Sequence, residues 1–151
     1  MINTFTVLKS LHVLGATVWI GGAFFIQVLF TVISRQGVTA NTGDTLRMIG
    51  TLGERIFIPA SLTLFAAGLW LTLKYDYIAF DQFWIQWGIG VWVMSFIAGA
   101  GYLGPASKKG GALLEAGDLA AYEKLLKPVM LVSRIEIVLL LATVVIMVTR
   151  P

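Results

Sequence analysis

Four runs of this chain are too long and too apolar to be stable in water. Residues 11–33, 56–73 and 84–103 contain no Asp, Glu, Lys or Arg, and in 129–148 only Arg134 and Glu136 interrupt. Each run approaches the ~20 residues with which an α-helix crosses ~30 Å of hydrocarbon. Together they occupy more than half of the 151 residues, which leaves no room for a separate soluble domain. Only 13% of the residues are charged and 58% are hydrophobic, whereas soluble domains run at about 25% and about 45–50%. The expected fold is all-α: a single four-helix transmembrane bundle over 1–151, with spans at about 5–33, 54–74, 84–104 and 128–149. The first run is longer than the 7–15 apolar residues of a secretory signal, so it is expected to be retained as the first helix.

Several chemistries are excluded by what the chain lacks. It has no cysteine, so disulfides, iron–sulfur clusters, thiolate zinc sites and thiol nucleophiles are out. Its single histidine, His12, rules out a bis-histidine haem or a two-histidine metal site within one chain. No GxSxG motif and no phosphate-cradling glycine loop occurs. The net charge of +3 does not imply nucleic acid, because the basic residues sit in short loops beside the spans.

Helical spacing sorts the spans into faces. His12, Gly15, Ala16, Trp19, Gly22, Ala23 and Ile26 share one side of the first helix. Small residues mark where membrane helices approach closely, so that side, His12 included, is expected to face the bundle. Val18, Phe25, Val28 and Val32 suit lipid. Pro59 lies about one turn into the second span. The pair Gly104-Pro105 is expected to stop the third, and Pro128 to start the fourth. Segments 42–53 and 111–127 alternate apolar and charged residues at helical spacing, as short helices lying in the interface would. Seven basic residues (Arg35, Arg47, Arg55, Lys108, Lys109, Lys124, Lys127) fall on the side of those two segments and three (Lys9, Lys74, Arg150) on the other. Basic residues favour the cytoplasm, so both termini are expected outside, in a bacterial inner membrane.

Ionisable groups within a bilayer are costly and need a partner. Arg134 and Glu136 are two residues apart and cannot face each other on a helix. The expected solution is an ion pair between the second and fourth spans, Arg55 with Glu136 or Glu54 with Arg134. An anion or propionate site near the inner surface is the functional alternative. For His12 two roles stand side by side. One is a hydrogen bond across the bundle to a hydroxyl or backbone carbonyl. The other is ligation of haem or copper, since neutral imidazole is a common metal ligand. Met147, near the outer end like His12, is the candidate partner for a His/Met haem.

The string LKSLHVLGATVWIGGAFF resembles the opening of HemJ-type protoporphyrinogen oxidases and of CopD copper-resistance domains, in which a Leu-His pair precedes a tryptophan and small residues. Glu54, Arg55, Pro59 and Gly68 in the second span are similar to the HemJ pattern, as are Arg134, Glu136 and Arg150-Pro151 in the fourth. The resemblance implies haem b at His12, with Trp19 beside it and a redox or porphyrin-related role. The likeness is expected to extend to uncharacterised four-span bacterial membrane proteins. Gly88 stands where the HemJ pattern has a lysine, which speaks against protoporphyrinogen oxidation itself and leaves haem binding. CopD-type copper handling calls for more His or Met than this chain has. Two other roles are consistent with the pattern: an accessory subunit docking a larger membrane complex or a second copy, and a small-solute transporter. The transporter is disfavoured by the expectation of uninterrupted helices in both halves.

Overall fold

The computed structural model describes residues 3–150, and among these every regular element is helical. Helix α1 covers Thr4–Gln36. It starts where the Asn3 side chain accepts the Thr6 amide at 2.8 Å, which satisfies one of the free N–H groups of a first turn. It ends at Gly37, whose φ of 78° suits a residue without Cβ. At 1.5 Å per residue α1 is about 50 Å long, well beyond the hydrocarbon thickness.

The second helix is built in three parts: α2 (Thr42–Leu52), a π-turn at Gly53–Phe57, and α3 (Ile58–Lys74). The third repeats the plan in reverse order along the membrane, as α4 (Phe83–Ala98), a π-turn at Gly99–Leu103 and α5 (Gly104–Glu115). Gly104-Pro105 therefore does not stop the third helix. A proline inside an α-helix withholds an N–H and collides with the carbonyl four residues earlier. A wide turn just before it, with an N–H reaching back five residues, relieves that collision. Here the Ile58 amide reaches Gly53 O and the Gly104 amide reaches Gly99 O, each directly before a proline.

The fourth helix, α6, covers Leu119–Thr149 and carries Pro128 inside it, so it begins nine residues before the proline expected to open it. Its start is fixed by Asp118, whose carboxylate accepts the Ala121 amide at 3.0 Å. Between α5 and α6 the chain reverses through Gly117, at φ 74°. There the Asp118 amide bonds Leu113 O and the Gly117 amide bonds Leu114 O, the paired closure that ends a helix on a left-handed glycine. Segment 111–127 is thus two helix ends meeting at a turn.

The four long helices form an antiparallel bundle in which α1 packs on α3 and α6, and α4 on α6. The small-residue face of α1 sits where its spacing placed it. A Cβ on Gly15 would lie 2.9 Å from Ala60 O and 3.0 Å from Leu64 N, and one on Gly22 would overlap the Phe57 ring. Val18, Phe25, Val28 and Val32 are all exposed on the opposite side. On the side of the 37–41 and 116–118 connections (the loop side), α2 packs on α5 through Gly43, Gly50, Gly110 and Gly111. Leu46 and Tyr122 close a cluster there with Phe30, Ala106 and Val129. The apolar faces of the two amphipathic segments are turned toward each other and α6. On the other side (the termini side), Leu8, Leu71, Ile78 and Ile85 pack beneath Phe5, Tyr75 and Trp84.

Candidate functional site

Two cavities lie along the bundle axis, and the buried Trp19 lines both. The larger, of about 910 Å³, opens toward the termini side. His12 reaches it from α1. Its Nδ1 lies 2.9 Å from the Leu64 carbonyl oxygen of α3. A carbonyl can only accept, so Nδ1 carries the hydrogen and Nε2 keeps its lone pair. Gly68, one turn after Leu64, makes this bond feasible. A Cβ there would stand 2.8 Å from both Nδ1 and Cε1 of the imidazole. The expected hydrogen bond across the bundle is therefore present, and it leaves the other ring nitrogen available.

The walls around His12 are apolar: Phe65, Trp92, Ile85 and Leu140 line the same cavity. Trp92 is stacked on Phe65 with ring centroids 3.9 Å apart, and its Nε1–H donates to Ser61 O at 3.0 Å. Met147 lines the cavity from α6, and its methyl fills the space that a Cβ on Gly88 would need. His12, Trp19 and Met147 are thus brought to one cavity. At its rim stand two cations, Lys9 beside the Phe5 ring and Arg150 over the Trp84 ring at 5.1 Å. Neither forms a salt bridge among the described residues.

The smaller cavity, of about 100 Å³, lies on the loop side of Trp19, between the two π-turns. Glu136 lines it, only 9% exposed, with the Ser95 hydroxyl beside its carboxylate. The expected ion pairs are not formed. Glu54 is bonded by Lys108 at 2.5 Å, and Arg47 bridges Asp44 and Glu115. Arg55 and Arg134 are exposed and enter no salt bridge among the described residues. The reason is the continuity of the third helix: its extension α5 carries Lys108 to α2 and places a cation beside Glu54. Arg134, two residues from Glu136, points away from the bundle.

Ser61, Ser95 and Ser133 converge on this second cavity; helical spacing puts Ser61 and Ser95 on inward faces of their own spans but does not bring the three together. A signal for the two interrupted helices was nevertheless present. Gly53-Glu-Arg-Ile-Phe-Ile-Pro-Ala-Ser61 and Gly99-Ala-Gly-Tyr-Leu-Gly-Pro-Ala-Ser107 share glycine six residues before Pro-Ala-Ser. Both copies form a π-turn ahead of the proline, so the second and third helices are not uninterrupted.

Four helices long and apolar enough to span a bilayer, with their apolar residues turned outward, define a multi-pass integral membrane protein in contact with lipid. The family model described as "Predicted integral membrane protein (DUF2269)" matches residues 6–151, and the chain belongs to that family. No curated protein and no solved structure matches it.

Proposed function

We propose that the protein is a membrane-embedded haem b module, with His12 as an axial ligand and a redox or porphyrin-related role. The observation that carries this reading is the state of His12. A ligating histidine characteristically donates its second ring N–H to a carbonyl or carboxylate, which fixes the tautomer and the ring plane. His12 does this through Nδ1 to Leu64 and offers Nε2. The surroundings fit a tetrapyrrole: an apolar cavity of about 910 Å³, flat aromatic walls, and Lys9 and Arg150 at the rim to receive two carboxylates. Met147 is the candidate second ligand, with a soft thioether suited to haem iron. A haem held in this way supplies one-electron chemistry. Lys9 and Arg150 would orient it, and Phe65 and Trp92 would exclude water.

The seven basic residues on the loop side support an orientation with that side in the cytoplasm and the His12 cavity toward the outer leaflet of a bacterial inner membrane. The test is an absorption spectrum of detergent-purified protein, as isolated and after titration with haem b. A Soret band that His12→Ala abolishes is expected. No stoichiometric band in wild type, or an identical one in His12→Ala, overturns the reading.

A further inference from the structure

The cavity between the π-turns is separate from the His12 cavity, and its chemistry is one-sided. Glu136 supplies a carboxylate with no salt-bridge partner among the described residues. Ser61, Ser107 and Ser133 also line it, and each has already given its hydroxyl hydrogen elsewhere. Ser61 Oγ–H donates to Ile58 O at 3.0 Å, Ser107 Oγ–H to Leu103 O at 2.8 Å and Ser133 Oγ–H to Gln27 Oε1 at 2.7 Å. A serine oxygen that has donated its hydrogen retains two lone pairs. The lining therefore offers several oxygen acceptors, no Lys or Arg, and two carboxylates, of which Glu136 is the one without a salt bridge among the described residues. Its other carboxylate, Glu54 at the loop-side edge, is already bonded by Lys108.

A buried carboxylate is stable only when its charge is balanced or removed. Hard cations without a crystal-field preference bind oxygen sets, and one negative charge matches one positive charge. Interrupted membrane helices add to this, because each proline leaves a carbonyl of the preceding turn without its helical donor. Unwound or widened turns at bundle depth are where membrane proteins coordinate alkali cations. At ~30 Å³ per water, a space of about 100 Å³ holds about three waters, or one dehydrated cation with a remnant of its shell.

We propose that this cavity binds one alkali-metal cation, held by the Glu136 carboxylate together with the side-chain oxygens of Ser61 and Ser133 and that of Ser95, whose hydroxyl hydrogen goes to Glu136 and leaves its lone pairs free. Two indoles report on it: Trp19 lines the cavity, and Trp92 Nε1–H bonds to Ser61 O. The purified full-length protein in detergent is titrated with sodium chloride, and separately with potassium chloride. Choline chloride holds the ionic strength constant, at a mildly alkaline pH where carboxylates are ionised. Tryptophan emission and thermal unfolding are followed.

A saturable change with sodium or potassium and none with choline is expected, with a midpoint of unfolding that rises as the site fills. Glu136→Gln, which keeps shape and hydrogen bonding, should abolish both responses. Ser133→Ala should weaken the apparent affinity by about tenfold, the effect of losing one contact to a charged ligand. Identical curves for choline and the alkali salts in wild type overturn the proposal. So does saturation that persists in Glu136→Gln, or a response to pH with none to alkali cations. If Glu136→Gln does not fold, Ser133→Ala and Ser95→Ala decide the matter, and unchanged affinity in both overturns it. The outcome is independent of haem, because His12→Ala should leave the cation response in place.

Discussion

Replacing Gly68 by alanine separates the placement of His12 from everything else in the bundle. In an exposed helix interior, glycine to alanine is favourable by about 1 kcal/mol, since the backbone loses freedom it would otherwise give up on folding. At Gly68 the new methyl carbon would stand 2.8 Å from two imidazole atoms, about 0.6 Å inside ordinary contact at 3.4 Å. Leu64 and Gly68 lie on the same helix and cannot part, so the ring must move. A shift of that size lengthens the 2.9 Å bond from Nδ1 to Leu64 O to the limit of a hydrogen bond. Losing a partner of this kind lowers metal affinity by about 10–100-fold. Haem b titration followed by the Soret band should therefore show weakening in that range, with helical content retained. Gly90→Ala is the control. Gly90 does not line the cavity and nothing lies within 4 Å of a Cβ there, so haem affinity should not change and unfolding should shift upward if at all. Wild-type haem affinity in Gly68→Ala would refute the claim that this glycine sets the imidazole.

Three further outcomes follow from the packing. Phe30→Ala empties a side chain that is 2% exposed at the centre of the loop-side cluster, and should cost about 3–5 kcal/mol in reversible unfolding; a loss under 1 kcal/mol would mean that the cluster is loose. Gly111→Val sets a branched side chain 2.8 Å from Gly43 O and should part α2 from α5 at a cost of about 1–3 kcal/mol, seen as faster proteolysis at 37–41 and 116–118; Gly101→Val, with open space around it, should not. Tyr122→Phe removes a buried hydroxyl with no partner among the described residues, and should raise stability by up to about 1–3 kcal/mol, the cost of an unpaired polar group; a drop would reveal an ordered water on that oxygen.

What could be read from the sequence, and what could not, follows from the range of each interaction. Periodicity is local, so the spans, the lipid face of α1 and the inward turn of His12 were legible. Proline was misread at positions 105 and 128 because its rule comes from helices in water. In lipid, breaking the backbone ladder costs more than widening one turn, and the helix continues through. Each later error descends from that one. With the third helix ended at Gly104, Lys108 belonged to a loop, and the fourth-span charges were left with the second span for partners, Arg55 for Glu136 or else Glu54 for Arg134. Neither pair forms, because Lys108 bonds Glu54 and a serine lies beside Glu136. The convergence of Ser61, Ser95 and Ser133 depends on three helices meeting, which spacing within one helix cannot express. The repeated glycine-to-Pro-Ala-Ser pattern was the available clue.

The wide turns also govern how this fold can vary. Each of the stretches 53–57 and 99–103 holds one residue more than an α-helical turn would. Deleting one residue there would close the wide turn to an α-helical one and drive the proline ring back against the carbonyl behind it, whereas inserting one would rotate the Gly43–Leu46–Gly50 stripe, or its Gly110–Gly111 counterpart, by about 100° off its mate. Substitutions in these ten positions are consequently cheaper than a change of length, and homologous chains should vary there in letters and not in number.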